Sequence, residues 1–172
     1  MTKKFDIILL PPDSFHLSFN DLFSSSRKNF TDLENKIKKM SESAKKKFMV
    51  KYRTNLQRDN YPCTSTQFTS YGNLFNYCHS DTIVIGPVST ALLETISNNI
   101  KYFSYDFAQA YKQNRMLHNN ASDIFCVALT PDEVINNITY KKIFKDGKSQ
   151  NNIFNKKALT INELVNKILN EN

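Results

Sequence analysis

The sequence contains no tryptophan, three glycines, five prolines and three cysteines among its 172 residues. So little glycine and proline excludes a fibrous or low-complexity chain. With 40% apolar and 23% charged residues, the length suits one domain, residues 1–172, with a proper core. Cys63, Cys78 and Cys126 are odd in number and widely spaced, which reads as reduced thiols and not a disulfide framework. They share no metal-ligand spacing with His16, His79 and His118, so no metal is expected. No run approaches the roughly 20 apolar residues of a membrane span. The apolar run 7–10 after Lys3 and Lys4 is too short for a secretory leader and ends in Pro11-Pro12. The expected location is therefore cytoplasmic. Gly-x-Gly-x-x-Gly, a Walker Gly-Lys-Ser/Thr loop and a Gly-x-Ser-x-Gly elbow are all absent. NAD bound in the usual mode, P-loop nucleotide hydrolysis and the α/β-hydrolase triad are thereby excluded.

What the chain does have is positive charge, +7 net with a pI near 9.3. An anionic partner follows: nucleotide, nucleic acid, phospholipid or polyanionic glycan. Much of the charge lies in Lys36, Lys38, Lys39 and Lys45 to Lys47. These read first as the solvated face of a helix, and alternatively as a face docking on a partner or an acidic membrane. No base-reading motif accompanies them, so specific nucleic-acid binding is not expected.

Apolar runs at 5–10, 48–52, 82–85, 100–105 and 124–127 read as buried strands, with a weaker one at 63–69. Between the first two, Leu33, Ile37, Met40 and Ala44 recur at helical spacing behind a cap at Thr31 or Asp32. Ser24-Ser25-Ser26 reads as a flexible link before that helix, and 53–59 as polar loop. A short helix is expected at 71–78 and another at 107–117. Thr130-Pro131-Asp132-Glu133 is a strong helix start, with capping residue, proline at the first helical position and glutamate three residues on. Residues 141–172 read as a polar loop and a C-terminal amphipathic helix packed on the domain. Alternating strands and helices predict an α/β fold: a doubly wound, mostly parallel sheet of five or six strands with helices on both faces.

In such sheets ligands bind beyond the carboxyl ends of the strands, where the strand order reverses. The order 3-2-1-4-5-6 makes the first strand and the strand at 82–85 neighbours at that point. After the latter come Gly86 and Pro87, then Ser89 or Thr90 as N-cap of a helix carrying Glu94. A helix start offers unpaired N–H groups and partial positive charge, which with two hydroxyls suits a phosphate. The plainer alternative is a capping hydroxyl and nothing more. Glu94 is placed to grip a ribose, or is an exposed helix residue. Lys51 and Arg53 end the second strand, able to neutralise phosphate or to lie on the surface. His16 and Asp13, in the loop after the first strand, are rival general bases. Tyr105 ends its strand on the ligand side and would line the pocket or cap the next helix.

The stretch Ser80-Asp81-Thr82-Ile83-Val84-Ile85-Gly86-Pro87-Val88-Ser89-Thr90-Ala91-Leu92-Leu93-Glu94, followed by Ile100-Lys101-Tyr102-Phe103-Ser104-Tyr105-Asp106, resembles the C-terminal half of GT-B glycosyltransferases. The bacterial surface-polysaccharide transferases and their teichoic-acid glycerophosphotransferase relatives are the nearest in look. The resemblance implies a Rossmann-like, donor-side domain in envelope polysaccharide synthesis, binding a nucleotide-sugar or CDP-activated donor without a separate cofactor. It implies that Ser89 and Thr90 hold the donor's phosphates and Glu94 its ribose. Phe48-Met49-Val50-Lys51-Tyr52-Arg53 resembles that family's strand ending in Lys-Pro-His-Pro, with Tyr52-Arg53-Thr54 in place of Pro-His-Pro. A GT-B enzyme has two Rossmann-like halves and this chain has room for one, so the resemblance implies that the chain is a fragment, works with a separate acceptor-side subunit, or has lost activity, and that it is cytoplasmic or peripheral at the inner membrane face. A non-catalytic α/β binding module is the alternative.

Overall fold

The computed structural model describes residues 3–12, 20–65, 67–109 and 127–140. Five strands form one parallel sheet: β1 (Ile7–Leu9), β2 (Phe48–Lys51), β3 (Phe68–Thr69), β4 (Ile83–Gly86) and β5 (Lys101–Ser104). Their order is β3-β2-β1-β4-β5, so β1 and β4 are neighbours with Ile7 opposite Ile83. This is the expected doubly wound α/β arrangement. A single parallel bridge, Tyr105 to Ala128, carries the pairing one position beyond β5.

The strands read as unbroken apolar runs because the sheet is covered on both faces, so neither set of alternating side chains meets water. One face receives α1 (Asn20–Ser43) and α4 (Pro131–Tyr140). There Ile7, Leu9, Val50 and Ile85 pack with Phe30, Leu33 and Ile37 of α1 and Val134 and Ile138 of α4. The other face receives α3 (Thr90–Ser97) and the 3₁₀ turn Leu74–Tyr77, where Ile8, Met49, Val84 and Tyr102 pack with Leu92. Complete burial of one such aliphatic side chain contributes about 1.5–3 kcal/mol, and each layer contains several.

Three local expectations fail for identifiable reasons. Ser24 to Ser26 form no link, because α1 runs unbroken from Asn20. Ser26, Phe30, Leu33 and Ile37 follow one another at spacings of four, three and four residues, and all are fully buried. Ser26 holds the place of an apolar residue on that stripe, and its small side chain lets the Tyr61 hydroxyl approach to 3.3 Å. Thr31 caps nothing: its hydroxyl donates back to the Arg27 carbonyl at 3.1 Å, the habit of a mid-helix threonine. Nor is 53–59 loop. It contains α2 (Asn55–Asn60), capped by Thr54, whose hydroxyl accepts from the Gln57 amide at 3.1 Å.

The start of α4 is as the sequence indicates. The Glu133 amide donates to Thr130 Oγ1 at 3.2 Å, and Glu133 Oε2 accepts from the Leu129 amide at 2.7 Å. The helix expected at 107–117, the strand at 124–127 and the segment 141–172 fall wholly or mostly outside the described residues.

Candidate functional site

Leu10 N–H donates to the Ile85 carbonyl at 2.7 Å, the last bond between β1 and the strand beside it. Beyond it the two chains part: Pro11 leads one way and Pro87 the other. Into this gap, at the carboxyl edge of the sheet, opens a cleft of about 510 Å³. Its floor is Leu10, Pro11 and the end of β2. One wall is the β4–α3 turn with Pro87, Ser89, Thr90 and Glu94; the other is Gln57 with the loop after β3, Ser70 and Gly72 to Leu74. The volume lies in the range that takes a small-molecule ligand.

Of the residues singled out from the sequence, Lys51, Arg53, Pro87, Ser89, Thr90 and Glu94 share this one cleft. Asp13 and His16 lie outside the described residues. Gly86 does not line the cleft but shapes it. A Cβ there would lie 2.4 Å from Tyr102 Oη and 3.0 Å from Leu10 Cβ. Only glycine lets Tyr102 close over the turn, where its hydroxyl donates to the Pro87 carbonyl at 2.7 Å. Tyr105 is elsewhere. Strand alternation turns Phe103 and Tyr105 to the α1/α4 face, where Tyr105 is buried and packs edge-on against Phe107 at 4.6 Å. Its hydroxyl is buried without a hydrogen-bond partner among the described residues, and burial pushes its pKa up. His79 sits at the opposite edge of the sheet, 3.3 Å from Asp6.

Lys51 is the most telling residue. It is the last residue of β2, is 7% exposed and lines the cleft. Its ammonium donates to the Tyr52 carbonyl at 2.6 Å. Among the described residues no carboxylate lies within ion-pair distance of it. Loss of water around the charge lowers its pKa. An ammonium has three donors and here one is used, so the site presents unmatched positive charge.

The start of α3 is unmatched in the complementary way. Thr54, Asn73 and Thr130 each accept a backbone N–H at the start of their own helical turn. The hydroxyls of Ser89 and Thr90 make no hydrogen bond among the described residues, and Leu92 N–H reaches only the Ser89 carbonyl at 3.0 Å. The plain reading of these residues as caps is not what is seen. Glu94, one turn further along, is exposed, and its carboxylate likewise has no partner among the described residues.

Gln57 and the loop after β3 are cleft residues that sequence reading missed. Gln57 was hidden in a stretch that looks like polar loop. The side of the cleft formed by Ser70, Gly72 and Asn73 had no signal beyond turn-forming composition.

Among the described residues no helix is long and apolar enough to cross a membrane. None of their His, Cys, Asp and Glu side chains cluster in threes as a metal ion would need. No family model matches the chain, and no curated protein or solved structure matches it either.

Proposed function

We propose that the cleft binds the phosphates of a nucleotide-activated donor, and that the chain is the donor-side half of a GT-B-like glycosyl- or glycerophosphotransferase. The observation that carries this reading is the meeting of Lys51 with the uncapped start of α3. A buried ammonium with unmatched donors lines the same cleft as two hydroxyls that make no hydrogen bond among the described residues and the helix start that carries them. Each alone is a common surface accident; together they describe a site for a dianion. In this reading Ser89, Thr90 and the α3 amides hold the phosphate or pyrophosphate. Lys51, with Arg53 beside it, stabilises the negative charge that develops on the departing nucleotide. Fixed donors in a cleft from which water is largely displaced are the main catalytic contribution such a transfer needs. Glu94 lies one turn from the phosphate position, within reach of a ribose. The acceptor-binding surface belongs to a partner, and the location that goes with this chemistry is the cytoplasmic side of a bacterial envelope.

Thermal shift with UDP, CDP, CMP, GDP, their sugar conjugates and pyrophosphate tests the reading, since a ligand of the native state must raise the melting temperature. Silence across the whole panel, pyrophosphate included, would sink it. Binding without turnover, when the chain is given donor and an acceptor-side partner, would favour the non-catalytic module instead.

A further inference from the structure

The structure assigns Gln57 the part of a positioning residue: one side-chain amide clamps the chain leaving β1 to the chain leaving β2, and so holds the cleft at its width. Gln57 is 5% exposed. Its Nε2 donates to the Pro11 carbonyl and to the Pro12 carbonyl, each at 2.9 Å. Its Oε1 accepts from the Arg53 N–H at 2.7 Å. The orientation of the amide is forced, since two carbonyls can only accept and an N–H can only donate. Every strand of a parallel sheet sheds its backbone partners where it ends, and buried backbone groups must find others. β1 makes its last ladder bond at Leu10, and the Tyr52 amide still reaches the Thr69 carbonyl at 2.8 Å. One residue further on in each case, Gln57 takes over. No other side chain of this size supplies two donors and an acceptor: an ionised glutamate lacks the donors, and methionine lacks both.

The consequence reaches the anion groups directly. Arg53, whose amide is held, is two residues from Lys51. Pro11 forms the floor between Lys51 and the β4–α3 turn. Free to separate, these two segments would no longer present Lys51 and Ser89 to one ligand. The role of α2 follows too: a six-residue helix in polar sequence exists to aim one glutamine inward.

The functional half of this inference rests on the cleft being an anion site, so its test reads both binding and backbone. Pyrophosphate affinity and amide hydrogen exchange at Arg53 are measured for the full chain, for Gln57→Met and for Thr54→Ala. Thr54→Ala removes the α2 cap and leaves the clamp groups in place. The expected result is a tenfold or greater rise in Kd and at least tenfold faster Arg53 exchange in Gln57→Met. Thr54→Ala should lower the melting temperature while its Kd stays within twofold of the parent. Should Gln57→Met not fold, Gln57→Asn, which keeps the amide but is one methylene too short to span both segments, bears the same expectation. A folded Gln57 variant with parental affinity and parental exchange overturns the inference. So does an equal loss of affinity in Thr54→Ala, which would make α2 stability the cause. If the parent chain itself does not bind pyrophosphate, the anion reading fails instead, and the clamp stands or falls on Arg53 exchange alone.

Discussion

Two of the charged side chains buried among the described residues, Glu34 and Lys51, are treated in opposite ways. Glu34, on α1, is fully buried. Its carboxylate accepts from the Thr64 amide at 2.9 and 3.1 Å, from the Thr64 hydroxyl at 3.2 Å and from the Ser65 amide at 2.8 Å. It clasps the segment that leads into β3, and its lone pairs are occupied. Lys51, at the end of β2, is almost as deeply buried and has one partner among the described residues, its own neighbour's carbonyl. Removing a charge from water costs several kcal/mol unless partners replace the solvent. Around Glu34 the protein supplies those partners; around Lys51 it does not. A charge satisfied from within has a structural task, and one left short fits the proposed role of meeting an anion.

The contrast breaks first, if it breaks, at Glu34. Glu34→Ala strands the buried Ser65 N–H and removes the partner of the Thr64 N–H nearer the surface, and urea unfolding should show a loss of roughly 3 kcal/mol. Pyrophosphate affinity of the folded fraction should be unchanged; a parallel loss of affinity would mean the two regions are not independent.

Lys51→Met should do the reverse. Removal of the ammonium costs about 1.5–3 kcal/mol of pyrophosphate binding, the worth of a hydrogen bond to a charged group. At neutral pH the unliganded protein should melt higher, because an uncompensated buried charge has gone. A lower melting temperature together with unchanged affinity would make Lys51 a structural residue like Glu34. The same pair of proteins carries a pH signature. In the folded chain the Lys51 pKa is depressed, so between that value and its ordinary 10.5 the unfolded chain binds a proton that the native one does not. Its contribution to stability is therefore greatest above 10.5 and is lost as pH falls through the depressed value. Titrated side by side, the parent should gain stability with rising pH in that window relative to Lys51→Met.

Ser89→Ala combined with Thr90→Ala should weaken pyrophosphate by roughly 1–3 kcal/mol if both hydroxyls bond the anion. Neither hydroxyl caps α3, so stability should move by no more than about 0.5 kcal/mol, the ordinary range for surface changes. A fall near the ~1 kcal/mol of a lost cap, with affinity intact, would return them to capping.

Glu94→Gln is the smallest and the most selective change. If Glu94 grips a ribose, the change removes a charge-assisted bond there and touches no phosphate. Nucleotide binding should weaken slightly while pyrophosphate binding holds or improves, since a nearby negative charge has been lost. Equal loss for both ligands would place Glu94 in support of the helix start, and no loss for either would leave it a solvated residue.

The strands and their order were legible because a parallel sheet covered on both faces writes itself as short continuous apolar runs. The β1–β4 neighbourhood, and with it the grouping of Lys51, Ser89, Thr90 and Glu94, follows from where such sheets reverse. What the sequence hid depends on partners far along the chain. Ser26 is part of the α1 stripe only because Tyr61 closes on it, and α2 exists around Gln57 only because Pro11 and Pro12 offer carbonyls more than forty positions earlier. Glu34 looks like any glutamate on a lysine-rich helix until Thr64 and Ser65 are beside it. Tyr105 was assigned to the ligand side by its place at a strand end, when alternation along β5 decides which face it joins.

The position of β1 has a consequence in time. Among the described strands it is the earliest in sequence and the central one in the sheet, and its second neighbour, β4, begins 76 residues later, with Ile83 opposite Ile7. At a synthesis rate of about 5–20 residues per second, roughly 4–15 s separate the emergence of the two. Until β2 is made β1 has no partner strand, and from then until β4 it has β2 on one side only, its other edge a row of open backbone groups flanked by isoleucine and leucine. The nascent chain is therefore at its most adhesive before the strand that leads into the cleft exists. Completion of the sheet and completion of the cleft are a single late event.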